Sequence, residues 1–108
     1  MKRILAATLT AALGAAALAA LPASGATTSI RLVDNKFRPA KVTVARGTTV
    51  RFVWAGRNQH NVFVFSGPQN FHSGTKRTGT YRKRLTRKGT FQLGCTLHAG
   101  MTLTIRVR

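Results

Sequence analysis

The stretch GCTLHAGM, from Gly94 to Met101, contains the only cysteine of a 108-residue chain, with a histidine and a methionine following at intervals of three. Met101 is also the only methionine besides Met1. A thiolate, an imidazole and a thioether are all metal donors. The spacing Cys95-x2-His98-x2-Met101 lets the three side chains turn toward one point from a tight loop, and Gly94 and Gly100 ease the sharp turns this needs. With one further imidazole the set becomes that of a blue-copper centre, in which Cys and two His form a trigonal plane and Met sits weakly on the axis. Soft sulfur favours Cu(I), while imidazole also accepts Cu(II). A site between those preferences changes oxidation state with little rearrangement, which is what electron transfer requires.

The second histidine must come from elsewhere, and His60 and His72 are the candidates. His60 opens a β-rich run, His60–Phe65, after the turn Gly56-Arg57-Asn58-Gln59, so the end of a sheet can hold it rigidly. His72 lies in the polar segment Ser66–Gly74, where a loop position is expected. Rigid placement favours His60.

The elements that must position these residues read as strands and turns. Ser29–Val33 alternates around Ile30 and Leu32. Lys41–Val44 follows Pro39. After the turn Arg46-Gly47-Thr48, Val50, Phe52 and Trp54 repeat with period two. Thr90–Leu93 follows Lys88-Gly89, and Thr102–Arg108 closes the chain with Leu103, Ile105 and Val107 on one face. Short alternating segments broken by Gly, Pro and Asn indicate an all-β sandwich or barrel.

Together these residues resemble a known family. His60-Asn61, followed 35 residues after His60 by Cys95-Thr-Leu-His98-Ala-Gly-Met101, is similar to the cupredoxins of the plastocyanin/azurin group, and the short ligand loop is most like that of amicyanins. The stretch DNKFRPAKVTVARGTTVRFVW, Asp34 to Trp54, resembles the early strands of these proteins. The resemblance implies a Greek-key β-sandwich with one type 1 copper at one end, held by His60, Cys95, His98 and Met101. It implies that Asn61 braces the ligand loop and that Thr96 is its hydrogen-bonding partner. It also implies that redox partners approach the exposed edge of His98, flanked by Leu97 and Ala99. The chain departs from the family where an aromatic residue is often found just before or two before the cysteine: here Gly94 and Leu93 stand there, so different packing is expected around the loop.

Charge narrows the partners. Lys and Arg number 18 against one acid, Asp34. One carboxylate cannot make an acid/base pair, a calcium cage or a magnesium–phosphate site. A lone cysteine cannot supply a zinc finger. A Cys95/His60/Asn61 hydrolase would need a cleft and an oxyanion site that a small sandwich hardly provides. A copper oxidase or nitrite reductase would need more ligands than three histidines and one cysteine offer, so no enzymatic role is expected. Lys76–Lys88 carries seven cations, with Arg82, Lys83 and Arg84 in a row. An acidic redox partner is therefore expected, with nonspecific polyanion binding as a by-product of the charge and no specific nucleic-acid motif.

The first 26 residues have the three-part layout of a secretory signal: Met1-Lys2-Arg3, an uncharged Ala/Leu-rich run from Ile4 to Leu21, and small residues ending in Ser24-Gly25-Ala26. Cleavage there leaves 27–108 as one copper-binding domain without a membrane span, exported to the periplasm or the cell exterior and expected to be monomeric. Of the 18 cations two, Lys2 and Arg3, go with the signal. The remaining 16 against Asp34 give a mature charge of +15. The competing assignment is an extracytoplasmic copper-delivery protein. Such proteins tend to have exposed, Met-rich sites, whereas the mature chain has one methionine.

Overall fold

The computed structural model describes residues 25–108, and the expected signal segment lies outside them except for Gly25 and Ala26. Eight strands follow in order: β1 (Thr27–Val33), β2 (Lys36–Arg38), β3 (Lys41–Val44), β4 (Thr49–Trp54), β5 (Phe63–Ser66), β6 (Gly79–Arg84), β7 (Gly89–Gly94) and β8 (Thr102–Val107). They form two four-stranded mixed sheets, ordered β2-β1-β4-β6 and β3-β8-β7-β5. β1 runs parallel to β4 and β3 parallel to β8, while the remaining pairings are antiparallel. The all-β sandwich expected from the alternating pattern is the fold observed. No helix among the described residues is long and apolar enough to cross a membrane.

Period-two alternation puts one face of each strand inside. β4 buries Val50, Phe52 and Trp54, β1 buries Ile30 and Leu32, and β8 answers from the other sheet with Leu103, Ile105 and Val107. Phe37, Phe91 and Leu93 complete the layer between the sheets. Each fully buried side chain of this size contributes about 1.5–3 kcal/mol.

Three elements differ from the pattern read in the sequence. β2 is a strand in its own right, because the Asp34-Asn35 turn, with Asn35 at φ 64°, folds Phe37 back against Leu32. The run from His60 is a strand only from Phe63, and His60 itself makes an isolated bridge to Lys76. The basic segment Lys76–Lys88 contains the edge strand β6, paired with β4 from Gly79 opposite Trp54 to Arg84 opposite Thr49. One end of the sandwich therefore collects the turn after β1, the segment after β4, the lead into β6 and the connection from β7 to β8.

Candidate metal centre

Cys95 follows the last residue of β7, and Met101 precedes the first residue of β8. Antiparallel pairing brings Gly94 opposite Thr102, so the chain between them must turn within a few residues. The Met101 N–H donates to the His98 carbonyl at 3.2 Å and the Cys95 N–H to the Met101 carbonyl at 3.1 Å, which ties both ends of this loop. Gly94 is required by close approach. A Cβ there would stand 2.6 Å from the Phe65 ring and 2.9 Å from the Met101 carbonyl oxygen. Phe65 of β5 thus covers the position before the cysteine, from the neighbouring strand.

His60 is held by its backbone. Its N–H donates to the Lys76 carbonyl and its carbonyl accepts from the Lys76 N–H, both at 3.0 Å, while the Trp54 indole N–H donates to the same carbonyl at 2.9 Å. Trp54 ends β4, so this histidine is attached to the core through a buried aromatic side chain. The Lys76 ammonium lies 4.9 Å from the centre of the Trp54 ring, an added cation–π contact.

One potential ligand atom each from His60, Cys95 and His98 lies within 4.8 Å of the others. The two imidazoles meet edge-on at 5.0 Å between ring centres. His60 is fully buried and Cys95 nearly so, while His98 is partly exposed. Met101, 1% exposed, lies buried at the end of the same loop. His72 is elsewhere: it is exposed and stacks on Phe63 at 5.9 Å.

Asn61 links the two halves of the site. Its side-chain carbonyl accepts from the Thr96 N–H at 2.9 Å, and its amide donates to the Thr96 hydroxyl at 2.8 Å and the Thr75 hydroxyl at 3.0 Å. The N–H groups of Asn61 and Leu97 point at the Cys95 sulfur, at 3.5 and 3.4 Å. Two backbone donors aimed at one sulfur fix its position between the two segments.

Two partners of the imidazoles were not anticipated in the sequence. The His60 Nε2 lies 3.3 Å from the Asp34 carboxylate, and the His98 Nε2 lies 3.2 Å from the Gln59 carbonyl. Asp34 also accepts from the N–H groups of Arg57 and Asn58, at 2.8 and 2.9 Å. Those bonds, from Asn58 and then Arg57, hold its carboxyl below the ordinary range, and His60 adds to the effect. A Cβ on Gly56 would collide with Asp34, so that glycine lets the loop close over the carboxylate. The available signal was that Asp34 is the chain's only acid, next to a turn-forming Asn35.

The donor set fits copper. The His60 Nδ1 is buried without a hydrogen-bond partner. Such an atom is costly unless something fills its lone pair. With Nε2 turned to a carboxylate, Nδ1 is the atom left to bind metal, in the familiar carboxylate–histidine–metal arrangement.

The residues expected to meet a partner fall in two places. Leu97 (50% exposed) and Ala99 are exposed beside His98. Arg82 and Arg84 point outward from β6, whereas Lys83 points the other way, with its ammonium 5.5 Å from the Phe71 ring centre.

The description "Copper binding proteins, plastocyanin/azurin family" matches residues 24–108. No curated protein matches the chain. Among solved structures, a reduced amicyanin variant is 25% identical over 83% of this chain and 89% of its own, with a TM-score of 0.63. A purple cupredoxin from Nitrosopumilus maritimus shares the fold at 18% identity, covering 75% of this chain and 99% of its own, TM-score 0.69. A copper-containing nitrite reductase from Thermus scotoductus is 28% identical over 85% of this chain, TM-score 0.68, but the chain spans only 26% of that enzyme's length. A sandwich of this topology, with a thiol and two imidazoles converging at one end and a family match across all the described residues, leads to one conclusion: the chain belongs to the plastocyanin/azurin family of copper-binding proteins.

Proposed function

We propose that this chain is a small exported one-electron carrier whose copper is held by His60, Cys95, His98 and Met101. The observation that carries this reading is the buried, unpartnered His60 Nδ1 at a cluster whose other members are a thiol and an imidazole. Copper bound there supplies a one-electron couple, poised by soft sulfur on one side and imidazole on the other. The protein's part is to hold the donors still. Asn61 and Thr96 lock the two ligand segments together, the Asn61 and Leu97 N–H groups brace the sulfur, and Asp34 and Gln59 fix the two rings. Met101, buried at the end of the loop, would add its thioether as a further, weak donor. Partners are read as approaching past Leu97 and Ala99, where His98 is the least buried of the cluster.

Burial favours a carrier over a delivery protein. A site whose cysteine is 5% exposed and whose first histidine is 0% exposed retains its metal, whereas exchange needs open ligands. His72 stands apart against Phe63, so it does not join the His60, Cys95 and His98 cluster. Residues 1–26 are read as the secretory signal, on the layout of charge, apolar run and small residues.

Titration of Cu(II) into the purified protein, followed by visible absorption and electron spin resonance, tests the assignment. An intense colour from thiolate-to-copper charge transfer is expected. Cys95→Ser abolishes it and His72→Ala leaves it unchanged. A colourless Cu(II) complex of the intact protein refutes the assignment, and loss of colour in His72→Ala shows that the wrong histidine was chosen.

A further inference from the structure

The outer face of the β2-β1-β4-β6 sheet carries cations that the metal centre does not use. Alternation turns Arg31 of β1, Lys36 and Arg38 of β2, Arg51 of β4, and Arg82 and Arg84 of β6 away from the core. The register makes them a band. Arg31 lies opposite Arg38, Arg51 opposite Arg82, and Arg84 opposite Thr49, so the charge steps diagonally across all four strands. At about 4.8 Å between strands, the band is about 14 Å wide.

Like charges directly opposite on neighbouring strands are destabilising, and this sheet holds two such arginine pairs on one face. Nothing among the described residues relieves them. None of the six forms an ion pair, and the chain's one acidic side chain is occupied with His60. Only Arg84 of the six side chains makes a hydrogen bond there, from Nε to the Gly47 carbonyl at 3.1 Å. Between the arginines the same face carries Thr27, Ser29, Thr49, Val53 and Thr80. It has no aromatic or large aliphatic anchor of the kind on which protein interfaces centre. Five of the six cations are arginine, whose fork pairs bidentately with phosphate as well as carboxylate oxygens.

We propose that this face binds a linear phosphodiester polymer, laid across the strands with its phosphates between the guanidinium groups. The band starts beside the metal end, where Arg31 lies opposite Val53, and leads away from it through Arg51, Arg82 and Arg84, on an outer sheet face that the ligand loop does not share. β4 meets the centre at Trp54, opposite Gly79, and runs from there past the Arg51–Arg82 pair to Thr49 and Arg84. A polymer on this face leaves Leu97, His98 and Ala99 open, so anchoring and redox contact use different surfaces. The proposal does not depend on what the metal centre does.

The test measures binding of the intact protein to poly(glycerol phosphate) between about 50 and 200 mM salt. The triple variant Arg31→Gln, Arg51→Gln, Arg82→Gln removes three charges from the band. The comparison variant Lys41→Gln, Arg87→Gln, Arg106→Gln removes three exposed charges elsewhere. The first is expected to lose at least tenfold in affinity at the low-salt end, and its slope of log K against log salt should shrink by about 2, at roughly 0.7 per phosphate contact. The second should change by no more than about threefold, since it removes no phosphate contact. Equal losses in the two variants overturn the proposal, because binding would then follow net charge. Poly-glutamate binding as tightly, with the same dependence on the three arginines, overturns it in favour of an acidic polypeptide. If the glutamine variant fails to fold, Arg31→Lys, Arg51→Lys, Arg82→Lys decides. It should keep the salt slope and lose affinity several-fold, and unchanged affinity removes the guanidinium recognition on which the proposal stands.

Discussion

Asp34 illustrates how much one side chain can determine. Its carboxylate accepts from two backbone N–H groups and faces the His60 Nε2. A negative charge at that ring favours the more positive metal state, so Asp34→Asn is expected to raise the reduction potential by tens of millivolts, about 59 mV corresponding to a tenfold change for one electron. Copper affinity should fall about 10–100-fold, as for other partners of metal-bound histidines. Voltammetry with a competition titration checks both, and an unchanged potential rules out the electrostatic role. Met101→Leu tests the donor at the end of the ligand loop. It should keep copper, because thioether contacts in such sites are weak and long, and raise the potential, because an axial donor stabilises Cu(II). A variant that cannot retain metal contradicts that assignment. Cys95 and His98, which the fold brings together with His60, were legible in the sequence because one loop contains them both. His60 needed an argument from rigidity. Asp34 was not found, because its contact with a residue 26 positions away depends on the β1–β2 turn and the Gly56 approach, neither of which leaves a pattern in residue types.

At the scale of strands, β5 and β7 set the shape of the ligand loop through one close approach. Phe65 rests on Gly94. Gly94→Ala is expected to destabilise the fold by about 1–3 kcal/mol, the usual cost of overpacking, and to shift the visible spectrum by displacing Cys95. Phe65→Ala in the same chain should recover part of that loss and not all of it, because the Met101 carbonyl still stands 2.9 Å from the new methyl group. Thermal unfolding of the two single variants and the double variant measures the coupling, and strictly additive losses show that the ring is not in the way. The alternation of β1, β4 and β8 was readable because each has one face in the core. β2 was not, because three residues are too few to show a period, and β6 was obscured because its cations dominate both faces.

For the whole molecule, charge is long-ranged and its placement decides its effect. Opposite charge raises encounter rates by roughly 10–10³-fold at low salt. Screening over about 8–10 Å near physiological salt removes much of that gain. Electron transfer with an acidic partner should therefore slow steeply as salt is added. Arg77, exposed and next to the residue that bridges to His60, should matter more than Arg84, whose strand position faces Thr49 at the far end of β4. Stopped-flow rates for Arg77→Glu and Arg84→Glu at several salt concentrations check this, and equal effects at both positions mean that total charge rather than placement governs the encounter. The sequence showed the excess of cations but not this division, since Arg82, Lys83 and Arg84 are consecutive yet point to opposite sides of one strand.

Among the described residues, two open sheets leave four unpaired borders, and they differ in how they meet other chains. β2, β3 and β5 offer three or four residues each, and β5 is interrupted by a register shift. β6 is six residues long and, among the described residues, has only β4 beside it. Such a border is a template on which another copy could add as a further strand. Here an antiparallel copy would bring Arg82, Lys83 and Arg84 against their own counterparts, and the Lys76 ammonium already takes the Thr80 carbonyl at 3.0 Å. Growth of one chain upon another into a continuous fibrous sheet is thereby opposed at the one border long enough to start it.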